Sequence, residues 1–169
     1  MDRTLTYPIV VLDFEATALA LTSYPIEVGV AILDEPGAQI RTWSSLIKPD
    51  LRWDIDAQWD PDAERIHGIS RWELREGKSA QHVMTELNGL IPAGATAWCD
   101  GGPYDAYWLR TLEQAAGVAS SFGLADLGMV LRGDGQVLER YLAASSGQPR
   151  PHRAGADAAL ICWAIAAAI

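Results

Sequence analysis

Ile9-Val10-Val11-Leu12 is a run of apolar, mostly β-branched residues that stops at two acids, Asp13 and Glu15. Such a run suits a strand buried on both faces, which needs cover from both sides. Ile26 to Leu33 and Ile40 to Ile47 read as the next two strands. The turn signal Asp34-Glu35-Pro36-Gly37 between them predicts a hairpin.

Ser79 to Ile91 has the apolar stripe of an amphipathic helix, with Ser79 as its cap and Pro92 after it. Ala95 to Cys99 reads as a fourth strand. Pro103 starts a helix that Gly117 can end. Phe122 to Ala125 reads as a fifth strand, Gln136 to Ala144 as a helix, and His152 or Arg153 leads into the last helix. Pro49 to Pro61 reads as a surface loop. Three strands followed by alternating helices and strands predict an α/β chain, a central mixed five-stranded sheet flanked by helices.

With 169 residues and 49% hydrophobic content, one domain with one sizeable core is expected over 1–169. The formal net charge of −9 argues against a general duplex-binding protein, which needs a basic face. It leaves room for an enzyme that grips a strand end. The two cysteines, Cys99 and Cys162, lie in apolar segments without metal-ligand spacing, so buried thiols in a reducing cytoplasm are expected. No secretory signal is expected, since the early apolar run meets Asp13 too soon, and the apolar segment Ala158 to Ile169 is too short to span a bilayer. It reads as a core helix, one that would permit a homodimer.

Most acids sit in turns and polar loops, but four do not. Asp13 and Glu15 are two apart, so on a strand both point to one face. Two close carboxylates in apolar surroundings repel and are costly to bury, and a divalent cation between them removes both penalties. Hydrogen bonds from backbone amides are the other way to satisfy them. Asp105 falls in the first turn of its helix, where an acid favours the dipole. Yet it lines up with Trp108, Leu109 and Leu112 and so should point inward. Asp157 lines up with Leu160, Ile161 and Ala164, and its only local ion-pair candidate is Arg153. His152 is too far along a continuous helix to share the Asp157 face, diverging by roughly 140°. Pro149 and Pro151 suggest that it precedes the helix and leans over the same cleft from a loop.

Taken in order, these segments resemble the DnaQ-like (DEDDh) 3′→5′ exonuclease family of the ribonuclease H-like superfamily. Asp13-Phe14-Glu15-Ala16-Thr17 resembles its first motif. Pro25 to Gly29 and Ile47-Lys48-Pro49 resemble its second and third strands, and Ile66 to Ser70 its "IHGIT" segment. Tyr104-Asp105 with Trp108-Leu109 resembles the second motif, and His152 to Ala158 the third. A histidine with four residues between it and the aspartate marks the DEDDh subgroup, whereas the tyrosine subgroup would carry Tyr where Arg153 stands. Two departures are Ala18, where the family often has Gly, and Asp100-Gly101-Gly102, where an Asn commonly precedes the second motif. Asp100 is expected to cap the helix.

The resemblance implies a ribonuclease H-like fold and metal-dependent release of nucleoside monophosphates from the 3′ end of single-stranded DNA or RNA. It implies two cations, Mg²⁺ or Mn²⁺, on Asp13, Glu15, Asp105 and Asp157, with His152 as general base. Ala16 and Thr17 would contact the terminal nucleotide through their backbone. A catalytically weak nucleic-acid-binding module on the same fold is the rival expectation. Of seven tryptophans, Trp43, Trp98, Trp108 and Trp163 read as core. Trp53, Trp59 and Trp72 are the better base-stacking candidates. His67 reads as structural or as part of a nucleotide pocket wall.

Overall fold

A computed structural model describes residues 5–169. The first strand, β1 (Ile9–Ala16), pairs antiparallel with β2 (Pro25–Leu33), which pairs antiparallel with β3 (Arg41–Leu46). On its other side β1 pairs parallel with β4 (Thr96–Cys99), and β4 pairs parallel with β5 (Gly123–Asp126). The sheet order is therefore β3-β2-β1-β4-β5, a mixed five-stranded sheet. This is the expected α/β architecture, consistent with a ribonuclease H-like fold.

The described residues form six α-helices: α1 (Pro61–His67), α2 (Ala80–Leu90), α3 (Pro103–Ala116), α4 (Leu127–Leu131), α5 (Gly135–Ser145) and α6 (Ala154–Ala168). Strand alternation decides which helices meet which face. Val10, Leu12 and Phe14 point to one face and pack with Val83, Met84 and Leu87 of α2 and with Trp108, Leu109 and Leu112 of α3. Ile9 and Val11 point to the other face and pack with Ile161, Cys162 and Ile165 of α6. The continuation of that second row is Asp13 and Glu15. One face of β1 thus serves α6 as core at its start and presents acid at its end.

The sequence places the elements well and misses several short ones. Strand β1 continues through both acids, because the ladder to β2 uses backbone groups and is indifferent to side-chain polarity. Helix α1 begins at the end of the expected loop, at Pro61, in a stretch for which the sequence predicts no element. Its Asp60 side chain accepts from the Asp62 amide at 2.8 Å, and Pro61 opens the helix. The 3-10 turn Glu73–Glu76 and helix α4 were also unforeseen. None of these is long enough to show a helical period.

Trp163 corrects another expectation: it is 43% exposed, on the outer side of α6, and not core. Helix α6 packs on β1, β2 and β3 with α5 beside it, which leaves one strip of an almost wholly apolar helix uncovered. Among the described residues no helix is long and apolar enough to cross a membrane.

Candidate metal centre

Alternation puts Asp13 and Glu15 on the α6 face of β1, and the first turn of α6 brings Asp157 to them. One carboxylate oxygen from each of the three lies within 4.8 Å of the others. Asp13 and Asp157 are buried, and Glu15 is half-buried.

The electrostatics are unfavourable for three bare carboxylates. Burial, then Asp105 and Glu15, push the Asp13 carboxyl well above the usual carboxylate range. Burial, then Asp157 and Glu27, raise Glu15 to about 8. Asp157 is raised by burial, with Arg150 and His152 pulling the other way. The Oδ1 atom of Asp157 is buried with no hydrogen-bond partner. An acceptor left unpaired in this way is costly unless something positive meets it. Three converging carboxylates, one of which carries an orphaned oxygen, fit a divalent cation.

Asp105 reaches the same region from α3. It is the strongest neighbouring charge acting on Asp13, although it stands outside the close trio. Burial raises it to about 7, opposed by the Gly101 amide that donates to its Oδ2 at 2.9 Å. A Cβ on Gly101 would lie 2.6 Å from that oxygen. Gly102, the cap of α3, has φ 58° and provides no side-chain bond. The pair Gly101-Gly102 is therefore what lets the chain turn tightly around the Asp105 carboxylate.

Asp100 does not cap α3, as expected from sequence. It forms an ion pair with Arg150, fifty residues later, so its partner lies across the fold and not one turn ahead. Arg153 also departs from its local prospect. It does not pair with Asp157. Its guanidinium donates to both oxygens of Glu27, from Nη2 at 2.7 Å and from Nε at 3.0 Å. The helix start turns Arg153 toward β2 while Asp157 faces β1.

Glu27 and Arg150 are the residues that motif reading overlooked. For Glu27 the signal was present: one acid in an otherwise apolar strand, in phase with Gly29 and Ala31 on the α6 face. It stands directly opposite Glu15 in the β1–β2 register.

His152 precedes α6 as expected. It is exposed and has φ 51°, the left-handed region, where His is better tolerated than most side chains. Thr17 is wholly buried; its amide donates to the Tyr24 carbonyl at 2.9 Å, and its carbonyl accepts from the Asp60 amide at 2.8 Å. Ala16 lies at a register shift between β1 and β2.

The stacking candidates separate clearly. Trp59 is buried against His67 and donates to Glu64 at 2.7 Å. Trp53 is stacked on Tyr24, with ring centroids 5.2 Å apart. Only Trp72 of the three is open, at 69%, and Arg75 lies over its ring. The Nδ1 of His67 accepts from the Ile69 amide at 3.0 Å, and burial lowers its pKa, so the ring is held neutral.

The exonuclease family profile, of the RNase T type, matches residues 10–164. The chain belongs to this exonuclease family. It is the DnaQ-like family of the ribonuclease H-like superfamily, and the matched span contains all four acids and His152. No curated protein matches the chain. Membership makes this chain a nuclease, a hydrolase whose substrate is nucleic acid.

Proposed function

We propose that this exonuclease degrades single-stranded nucleic acid from its 3′ end, releasing nucleoside monophosphates. The convergence of Asp157, a carboxylate with an orphaned oxygen, on Asp13 and Glu15 is the observation that carries the reading. Asp13, Glu15 and Asp157 would hold one Mg²⁺ or Mn²⁺. Asp13 and Asp105 would help hold a second. When bound, such a pair activates a water and stabilises charge on the phosphate and on the leaving oxygen.

The chain's own groups supply the rest. His152, from the exposed loop before α6, accepts the proton of the attacking water. The phosphorus gains that oxygen, and its bond to the 3′ oxygen of the preceding nucleotide breaks. Ala16, at the strand irregularity, contacts the terminal nucleotide through its backbone. Thr17 holds that segment in place with the bonds described above. The net charge of −9 favours short single strands over long duplex.

Matched DNA and RNA oligomers, each labelled at the 3′ or the 5′ end, test this. With Mn²⁺, a 3′ label should appear first as mononucleotide, and a 5′ label should shorten stepwise. Internal cuts, or binding without release, would overturn the reading. His152→Ala should lower kcat about 10²–10⁴-fold, the usual contribution of a positioned base, with little change in KM. Full kcat in that variant would remove His152 from the mechanism.

A further inference from the structure

Glu27 is the third residue of β2 and is 2% exposed. A bare carboxylate there would be strongly disfavoured. Three donors meet it: Arg153 Nη2 at 2.7 Å on one oxygen, and Arg153 Nε and the Ala154 amide, both at 3.0 Å, on the other. Ala154 is the first residue of α6, and its amide is one of those with no partner inside the helix. Arg153, the cap residue, makes no side-chain capping bond of its own. The helix is therefore capped from the sheet, by a residue 127 positions earlier.

Stability alone explains this arrangement poorly. A buried ion pair gains little over well-packed apolar side chains. Here the cost is greater, because Glu27 faces Glu15 directly across the strand pair and raises its pKa. What three directed bonds provide is geometry. A fork–fork pair together with a backbone amide fixes the position and direction of the first peptide of α6. His152 is the residue immediately before this clamp, in a left-handed backbone conformation and with an exposed side chain. Two residues before it, Arg150 is tied to Asp100. The backbone that carries His152 is thus held on both sides, and the tighter hold is Glu27.

We propose that Glu27, through Arg153 and the Ala154 amide, is the positioning residue that sets His152 for proton transfer. The proposal rests on the reading of His152 as the base. Glu27 also faces Glu15, and the helix start it holds carries Asp157, so the role proposed for it is the part that saturating metal does not replace: the placing of the histidine.

The test compares Glu27→Gln, Arg153→Gln, His152→Ala and the double variant His152→Ala/Glu27→Gln on one oligonucleotide. Glutamine at 27 can still accept from Ala154 but presents an amide NH₂ to the guanidinium. Misplacement of a catalytic group by about 1 Å costs up to about 10²-fold, so kcat in Glu27→Gln should fall by about 10- to 100-fold. That loss should persist at saturating Mn²⁺, with KM as in wild type. In the His152→Ala background the same change should have no further effect, because the histidine it acts through is gone. Arg153→Gln, whose side chain is half exposed, should reproduce the loss and serves if the Glu27 variant fails to fold.

Wild-type kcat in both single variants would overturn the proposal. So would multiplicative losses in the double variant, or a kcat that saturating Mn²⁺ restores, which would place Glu27 behind the metal ligands. If His152→Ala keeps full kcat, the base assignment fails and this proposal with it. If only His152→Ala is impaired, the base stands and the positioning role falls.

Discussion

Asp157→Ala should abolish metal-dependent hydrolysis and, in the absence of metal, make the protein more stable than wild type. Both effects come from the same atom. Asp157 is 3% exposed and its Oδ1 has no partner. An unsatisfied buried acceptor costs about 1–3 kcal/mol, which alanine removes along with one of three converging charges. In a chain of this size each kcal/mol moves Tm by about 2–4 °C. Activity should fall at least about 10²–10³-fold, the scale of losing one group that stabilises transition-state charge. Saturating Mn²⁺ should raise the wild-type Tm and leave that of the variant unmoved. A variant that melts below wild type without metal, or still gains Tm with it, would contradict the assignment.

The pH dependence follows from the same cluster. Asp13, Glu15, Asp105 and Asp157 all have folded pKa values above their ordinary ones, Glu15 reaching about 8 and Asp105 about 7. Between the unfolded values, near 4, and these raised ones, the folded state binds more protons than the unfolded state. Stability of the metal-free protein should therefore fall as pH rises from about 4 to about 8. Melting curves across that range should show the slope, and Asp157→Ala should flatten it. Metal competes with those protons, so the gain in Tm from Mn²⁺ should grow with pH over the same window.

The second large effect belongs to Gly29. A Cβ there would lie 2.2 Å from the Ala154 carbonyl carbon and the Gly155 nitrogen. These are backbone atoms and cannot rotate away. Gly29→Ala should therefore lift the start of α6 off β2, at a cost of about 1–3 kcal/mol or more. Gly29 pairs with Asp13 in the ladder, and Asp157 lies in the first turn of the displaced helix. The three carboxylates should then spread, and the Mn²⁺ needed for half-maximal rate should rise steeply while the remaining sheet stays folded. Unchanged Tm and Mn²⁺ dependence in Gly29→Ala would show that α6 does not need this contact.

Much of the site was legible because its residues conflict with their surroundings. Asp13 and Glu15 end an apolar run, and Asp105 and Asp157 fall on apolar helical stripes, so periodicity alone marks them as inward-facing acids. The structure brings Asp13, Glu15 and Asp157 together and sets Asp105 beside them. His152 carried no such conflict, since an exposed histidine before a helix is ordinary, and only the motif spacing drew attention to it.

Periodicity tells which face a residue takes but not what it meets there. Arg153 looked like the partner of Asp157 because it is one turn away, yet it binds Glu27, 126 residues distant. Asp100 looked like a cap and instead binds Arg150. Trp59 and Trp53 looked like loop residues and are covered, while Trp163 on an apolar helix is open. The sequence by itself determined the strand that ends in acid, the inward acids on two helices and the order of elements, because these follow from local spacing. Only the tertiary structure decided the partners, because they depend on the β1–β2 register and on how closely α6 crosses Gly29, distances that no local pattern encodes.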